Sequence, residues 1–110
     1  MVCYRDIISG CNVENACYGL GICAEVCAVS KAVSLGETSI VEVAVAAPSP
    51  KNQFTSPCGR CRQFLCEFAS SMDIKVHMIR CGDGKIHTST LRELLPMAFT
   101  PKILKDATAE

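Results

Sequence analysis

Tryptophan is absent from this chain of 110 residues, and aromatic side chains are few: two tyrosines and four phenylalanines. The 49% hydrophobic content is therefore mostly aliphatic residues and cysteine, enough for an ordinary globular core. Charge of either sign is not in excess, because eleven basic residues cancel eleven acidic ones. A neutral chain has no electrostatic footprint for nucleic acid or for an anionic membrane, and points to a small, uncharged ligand. No run of about 18 apolar residues offers a transmembrane helix. The opening Met1-Val2-Cys3-Tyr4-Arg5-Asp6 is not a basic leader followed by an apolar core, so no secretion signal is expected.

What the chain has in quantity is cysteine. Nine thiols, an odd number without a secretion signal, do not read as a disulfide framework. A reducing compartment, the cytoplasm, is expected, with some cysteines serving metal ligation or catalysis. Cys3, Cys11, Cys17, Cys66 and Cys81 read as small buried residues.

One domain is expected over residues 1–110, with about 65% of the unfolded chain's surface buried. Val2 to Ser9 reads as a strand and Gly10 to Gly21 as a polar loop. From Cys23 to Leu35, Val26, Val29, Ala32 and Val33 recur at helical spacing, and Gly36 ends the helix. Ile40 to Ala47 reads as a buried strand, Cys58 to Ser70 as a second helix, and Ile74 to Arg80 as an alternating strand. Asp83-Gly84 is a two-residue hairpin signal with a return strand from Lys85 to Thr88. Thr90-Leu91-Arg92-Glu93 opens a short helix with a capping box, and the tail from Thr100 to Glu110 is expected to be poorly ordered. This order predicts an α/β fold from two βαβ units with a parallel sheet core, closed by an antiparallel last hairpin. In such a layout both helices begin on one rim of the sheet, which brings Cys23 to Cys58 and Cys61.

Cys58-Gly59-Arg60-Cys61 places two sulfurs within one turn at a helix start, where the thiolate form is favoured. With Cys23 the set has three protein ligands, and a catalytic zinc keeps its fourth tetrahedral position for water. Glu25, two residues on, can pass a proton between that water and a leaving amine. Cys23-Ala24-Glu25 followed by Pro57-Cys58-Gly59-Arg60-Cys61 is the three-cysteine form of the zinc deaminase signature. Two other readings stay open at this level. Cys27, one turn beyond Cys23, could close a structural four-cysteine site, which leaves Glu25 unused, or the thiols could be buried and unligated. His77 and His87 read as structural or exposed residues.

Asn12-Val13-Glu14-Asn15-Ala16-Cys17-Tyr18-Gly19, Cys23-Ala24-Glu25, Ser56-Pro57-Cys58-Gly59-Arg60-Cys61-Arg62-Gln63, and Leu94-Leu95-Pro96 with Phe99 closely resemble the free-nucleoside cytidine deaminases, from about Ile7 to about Pro101. The resemblance implies a cytidine deaminase-like three-layer sandwich with a mixed sheet. It implies one Zn2+ per chain on Cys23, Cys58 and Cys61, and Glu25 as proton shuttle. Backbone near Ala24 would contact the pyrimidine, and Asn12 and Glu14 would bind the ribose. Ala16, Tyr18 and Phe99 would reach a neighbouring subunit's site in a homotetramer. The implied reaction is hydrolytic deamination of cytidine or deoxycytidine in pyrimidine salvage. Deaminases of polynucleotides run their last strands parallel, which the Asp83-Gly84 hairpin forbids.

Two departures stand out. Val26 occupies the place where the family commonly has arginine after the glutamate, a cation that offsets the net −1 charge of Zn2+ with three thiolates. Arg60 is expected to take over that task by hydrogen-bonding a ligand sulfur, as in the Cys-Gly-Arg-Cys of blasticidin deaminases. The chain is also expected to lack the family's N-terminal helix and first strand, which lies between the equivalents of Val2–Ser9 and Ile40–Ala47. A weakly active or inactive homologue serving as a zinc-binding oligomer subunit is the alternative function.

Overall fold

In the computed structural model, residues 2–3 and 6–108 are described. The elements run β1 (Val2–Cys3), α1 (Ala24–Ser34), β2 (Ile40–Ala47), α2 (Gly59–Cys66), β3 (Lys75–Arg80), β4 (Ile86–Thr90), α3 (Leu91–Leu94) and α4 (Pro101–Thr108). The sheet order is β1-β2-β3-β4. β2 and β3 are parallel, from Glu42 beside Lys75 to Ala47 beside Arg80. β3 and β4 are antiparallel, from Lys75 beside Thr90 to Ile79 beside Ile86. The α/β class, the mixed sheet, its parallel core and the antiparallel last hairpin agree with expectation.

Side chains alternate across this sheet. Val43 and Val76 point into a cluster with Val29 and Ala32 of α1, Leu65 and Cys66 of α2, and Leu91 of α3. Leu65 and Leu91 are fully buried, each worth about 1.5–3 kcal/mol over an exposed side chain. The opposite face carries Ala44, Ala46, Lys75 and Thr88, all exposed, with His77 joining Glu42 to Thr88 across three strands. α1, α2 and α3 pack on the same face of the sheet.

The termini of α1 follow local chemistry. Glu37 N bonds Ala32 O at 2.8 Å and Gly36 N bonds Val33 O at 3.0 Å, with Gly36 at φ +86°. This paired closure needs a left-handed residue, and glycine adopts that conformation freely. Half of the expected capping box forms: Thr90 Oγ1 accepts from Glu93 N at 3.2 Å, while the Glu93 carboxylate takes the Thr90 hydroxyl at 3.1 Å.

Four elements differ from the sequence reading. β1 covers only Val2–Cys3 and pairs antiparallel with Ile40 and Glu42 of β2, so the first βαβ unit is not parallel. Residues 4 and 5 of the expected strand lie outside the described residues. α2 stops at Cys66 because the next residues pair with β2: Ile40 N bonds Phe68 O at 2.8 Å and Ser70 N bonds Ile40 O at 2.7 Å. The hairpin loop is Cys81–Gly84, closed by Arg80 N to Lys85 O at 2.9 Å. Asp83 accepts from Arg80 and from Lys85 N instead of occupying a two-residue turn. Finally, the tail forms α4, every residue of it exposed.

Arg80 decides how the sheet meets the loop 48–57. It is 6% exposed and donates to Pro50 O at 3.4 Å, Lys51 O at 2.5 Å and Gln53 O at 3.2 Å, while Asp83 Oδ2 takes Nη2 at 2.8 Å. The ring of Phe54 lies 4.8 Å from the guanidinium carbon. The guanidinium holds Asp83 down at about 2, below the ordinary carboxylate value. Arg80→Met keeps the stem and removes the donors. It is expected to lower unfolding free energy by about 2 kcal/mol, measured as a lower urea midpoint with unchanged slope.

Candidate metal centre and substrate cavity

Each helix start delivers a thiol. Cys23 is the N-cap of α1 and Cys58 the N-cap of α2, both in extended backbone and neither using its side chain to cap. Their sulfurs are thus free to face outward from the helix ends. Cys61 follows in the first turn of α2 and is fully buried. Cys23 Sγ and Cys58 Sγ are 4.0 Å apart, Cys58 Sγ and Cys61 Sγ 3.5 Å apart, and the three lie within 4.8 Å of one another. A tetrahedral ion with Zn–S bonds of about 2.3 Å separates its sulfurs by about 3.8 Å. The trio therefore fits zinc on both distance and donor chemistry. Cys27 is outside the group, so among the described residues the closed four-cysteine site is not formed.

The protons of the trio are unevenly held. Burial, then hydrogen bonding with Cys58 and Cys23, pushes the Cys61 thiol far up. Cys58 is lowered, first by the backbone N–H of Cys61 and against the effect of burial, with help from its two sulfur neighbours and the N–H of Arg60. Cys23 gains a lowering hydrogen bond from Cys61, but burial, Cys58 and the Glu25 charge together raise it. Like charges this close oppose one another, so a cation is what lets all three sulfurs ionise together.

A cavity of about 620 Å³ opens beside the thiols, lined by Asn12, Glu14, Tyr18, Ala24, Glu25 and Ser56 among others. Its size suits one small molecule. The loop that presents Asn12 and Glu14 is fixed by a two-way bridge, Val13 N to Ile22 O and Ile22 N to Val13 O, both 2.9 Å. Asn12 Nδ2 donates to Glu14 Oε1 at 3.2 Å. A second cavity of about 240 Å³ between Ser9–Gly10 and Val43–Ala46 shares Ala24, Glu25, Val45 and Ala46 with the first. Glu25 thus faces two spaces.

Ala16, Tyr18 and Phe99, expected to reach a neighbouring subunit's site, are all exposed; Tyr18 also lines the chain's own cavity, and the Phe99 carbonyl accepts from Gln63 Nε2 at 2.9 Å. The Arg60 side chain is exposed and, among the described residues, bonds no ligand sulfur. The residue missed is Arg62, whose guanidinium donates to Pro57 O at 2.7 Å, Ser56 Oγ at 2.7 Å and Leu94 O at 2.6 Å. Its place one turn beyond the N-cap Cys58 was the available signal, since a long side chain there reaches the loop entering the helix.

Comparison with known proteins agrees with the site. The profile of the cytidine and deoxycytidylate deaminase zinc-binding region matches residues 1–78. A cytidine deaminase of Halalkalibacterium halodurans is 42% identical over 101 residues, which are 92% of this chain and 74% of that protein. A cytidine deaminase of Sporosarcina psychrophila is 40% identical, with 92% of this chain and 71% of that protein covered. The crystal structure of a cytidine deaminase from Burkholderia pseudomallei superposes with a TM-score of 0.75 at 33% identity, over 86% of this chain and 72% of that one. With a matched zinc-binding profile, relatives at this identity and the three thiols of that motif gathered in space, the chain belongs to the cytidine deaminase family.

Proposed function

We propose that this chain catalyses zinc-dependent hydrolysis of the exocyclic amine of cytidine and deoxycytidine. The observation that carries this reading is the shared cavity: Cys23, Cys58 and Glu25 line the same space as Asn12 and Glu14. Relatives named cytidine deaminase support the substrate class.

Cys23, Cys58 and Cys61 would hold the zinc, with two helix N-termini each contributing about half a positive charge beside the thiolates. Zinc, when bound, is a Lewis acid that brings the pKa of water down toward about 7. The chain's own residues do the rest. Asn12 and Glu14 offer a donor and an acceptor to ribose hydroxyls, and the backbone at Ala24 borders the base. Glu25 takes one proton from water and delivers it to N3 of the base, then takes the second from the hydroxyl now on C4 and delivers it to the departing nitrogen. The water oxygen ends on C4 as the new carbonyl, the C4–N bond breaks, and ammonia leaves.

The same reading makes the assembly a homotetramer in which Ala16, Tyr18 and Phe99 approach a neighbouring copy's cavity. Tyr18 at 96% exposure and Phe99 at 52% support it, since both present apolar area outward. Balanced charge supports a free nucleoside rather than a nucleic acid. No helix among the described residues is long and apolar enough to cross a membrane. Eight free cysteines among those residues support a reducing, cytoplasmic setting for pyrimidine salvage.

Purified protein is expected to bind about one zinc per chain and to convert cytidine to uridine in an absorbance assay. Cys23→Ser, Cys58→Ser and Cys61→Ser should each lose the metal, whereas Cys27→Ser should retain it, read by zinc content after dialysis. Glu25→Gln should keep zinc and lose at least about 100-fold in kcat. Zinc-loaded wild-type protein without turnover would sink the activity, and full zinc uptake by Cys61→Ser would sink the ligand set.

A further inference from the structure

We infer that Arg62 is a positioning residue for the zinc ligands, holding the Ser56–Pro57 arm so that Cys58 meets Cys23 and Cys61. The inference rests on the zinc reading above and adds to it a residue that touches neither metal nor substrate.

Arg62 gathers three consecutive residues. Its backbone N–H bonds Cys58 O at 2.9 Å. Nε reaches Pro57 O at 2.7 Å and Nη2 reaches Ser56 Oγ at 2.7 Å. Nη1 ties the group to the end of α3 through Leu94 O at 2.6 Å. α3 is itself anchored by Leu91 N to Ile74 O at 3.1 Å and Arg92 N to Met72 O at 2.7 Å. The chain of contacts therefore runs from residues 72–74, which lead into β3, through α3 and Arg62, to the residue just before Cys58.

The geometry selects a rigid fork. Three acceptors on separate residues take donors from three different nitrogens of one planar group, which a lysine ammonium on a flexible stem cannot reproduce. All three acceptors are neutral, so these bonds fix shape rather than neutralise a partner. Ser56 also lines the 620 Å³ cavity, so the clamp fixes one wall of the substrate space together with one metal ligand.

The test is zinc affinity, read by competition with a chromophoric chelator, beside thermal melting of each variant. Arg62→Met and Arg62→Lys are both expected to weaken zinc binding about 10- to 100-fold, as loss of an outer support does. Cobalt-loaded protein should show an altered thiolate-to-metal absorption in both. Arg92→Met removes an exposed guanidinium that bonds Asp73 at 2.8 Å, and should leave zinc affinity unchanged. Unchanged affinity in Arg62→Met, whatever its melting point, overturns the inference, and so does full recovery in Arg62→Lys. If Arg62→Met does not fold, Ser56→Ala removes one leg and should weaken zinc about fivefold; unchanged affinity there overturns it equally. Wild-type protein that takes up no zinc overturns this inference and the zinc reading together, which separates the two failures.

Discussion

α1 and α2 share one buried cluster on the same face of the parallel β2–β3 pair, through Val29, Ala32 and Leu65. Each helix precedes one of these strands and runs back along it. Because the strands are parallel, both helices start at the same end of the sheet, where Ala46 and Ala47 border the larger cavity. Cys23 and Cys58 are the residues at those two starts. A metal centre assembled from positions 35 residues apart thus follows from strand direction and helix packing, with no covalent link between the parts.

The same convergence creates an electrostatic problem. Three thiols and a carboxylate crowd a half-buried corner, and Cys61 and Cys23 are raised first by burial and then by these neighbours. Backbone N–H groups at the α2 start offset part of it at Cys58. A bound dication offsets most of the remainder, so the site is built to be stable with its metal. Neither Val26, which is buried, nor the exposed Arg60 side chain brings a cation onto the sulfurs. The neighbouring arginine that does make extensive contacts, Arg62, spends them on neutral oxygens.

Much of this was legible because it is local. Helix spacing from Val26 to Val33, Gly36 as a stop, the β-branched run of β2 and the Thr90–Glu93 box each carry their own physical signal, and the metal ligands sit at helix starts that those signals locate. What stayed hidden depends on partners that are distant in sequence for β1 and α2 and local for the hairpin loop. The antiparallel pairing of Val2–Cys3, the early end of α2 at Cys66 and the longer hairpin loop are each decided by backbone or side-chain partners that no pattern of apolar spacing encodes. α4 was missed although local signals mark it: Thr100 Oγ1 accepts from Ile103 N, Pro101 opens the helix, and Ile103 and Leu104 share an apolar stripe that stays exposed. In the sequence reading the role falls to Arg60, which lies between two ligands in sequence, and Arg62 has none. Side-chain reach in a helix runs toward the N-terminus, and that favours the residue one turn later.

The rim of the larger cavity then has an unusual dependence. Residues 48–57 form no helix or strand, yet they carry Pro48, Thr55 and Ser56 to the cavity and lead into Cys58. Their shape is set by side-chain hydrogen bonds: Thr55 N donates to Ser49 Oγ at 2.9 Å and Thr55 Oγ1 to Pro48 O at 2.8 Å, with Arg80 donating to the carbonyls of residues 50, 51 and 53 and Arg62 to Pro57 O and Ser56 Oγ. An irregular segment held in this way is fixed only where each carbonyl keeps its donor. Arg80 ties its first half to β3 and Arg62 ties its second half to α3, so the two arginines link the position of the metal ligand to the sheet from opposite sides. Precision at the metal centre is therefore a property of the loop's hydrogen bonds as much as of the thiols themselves.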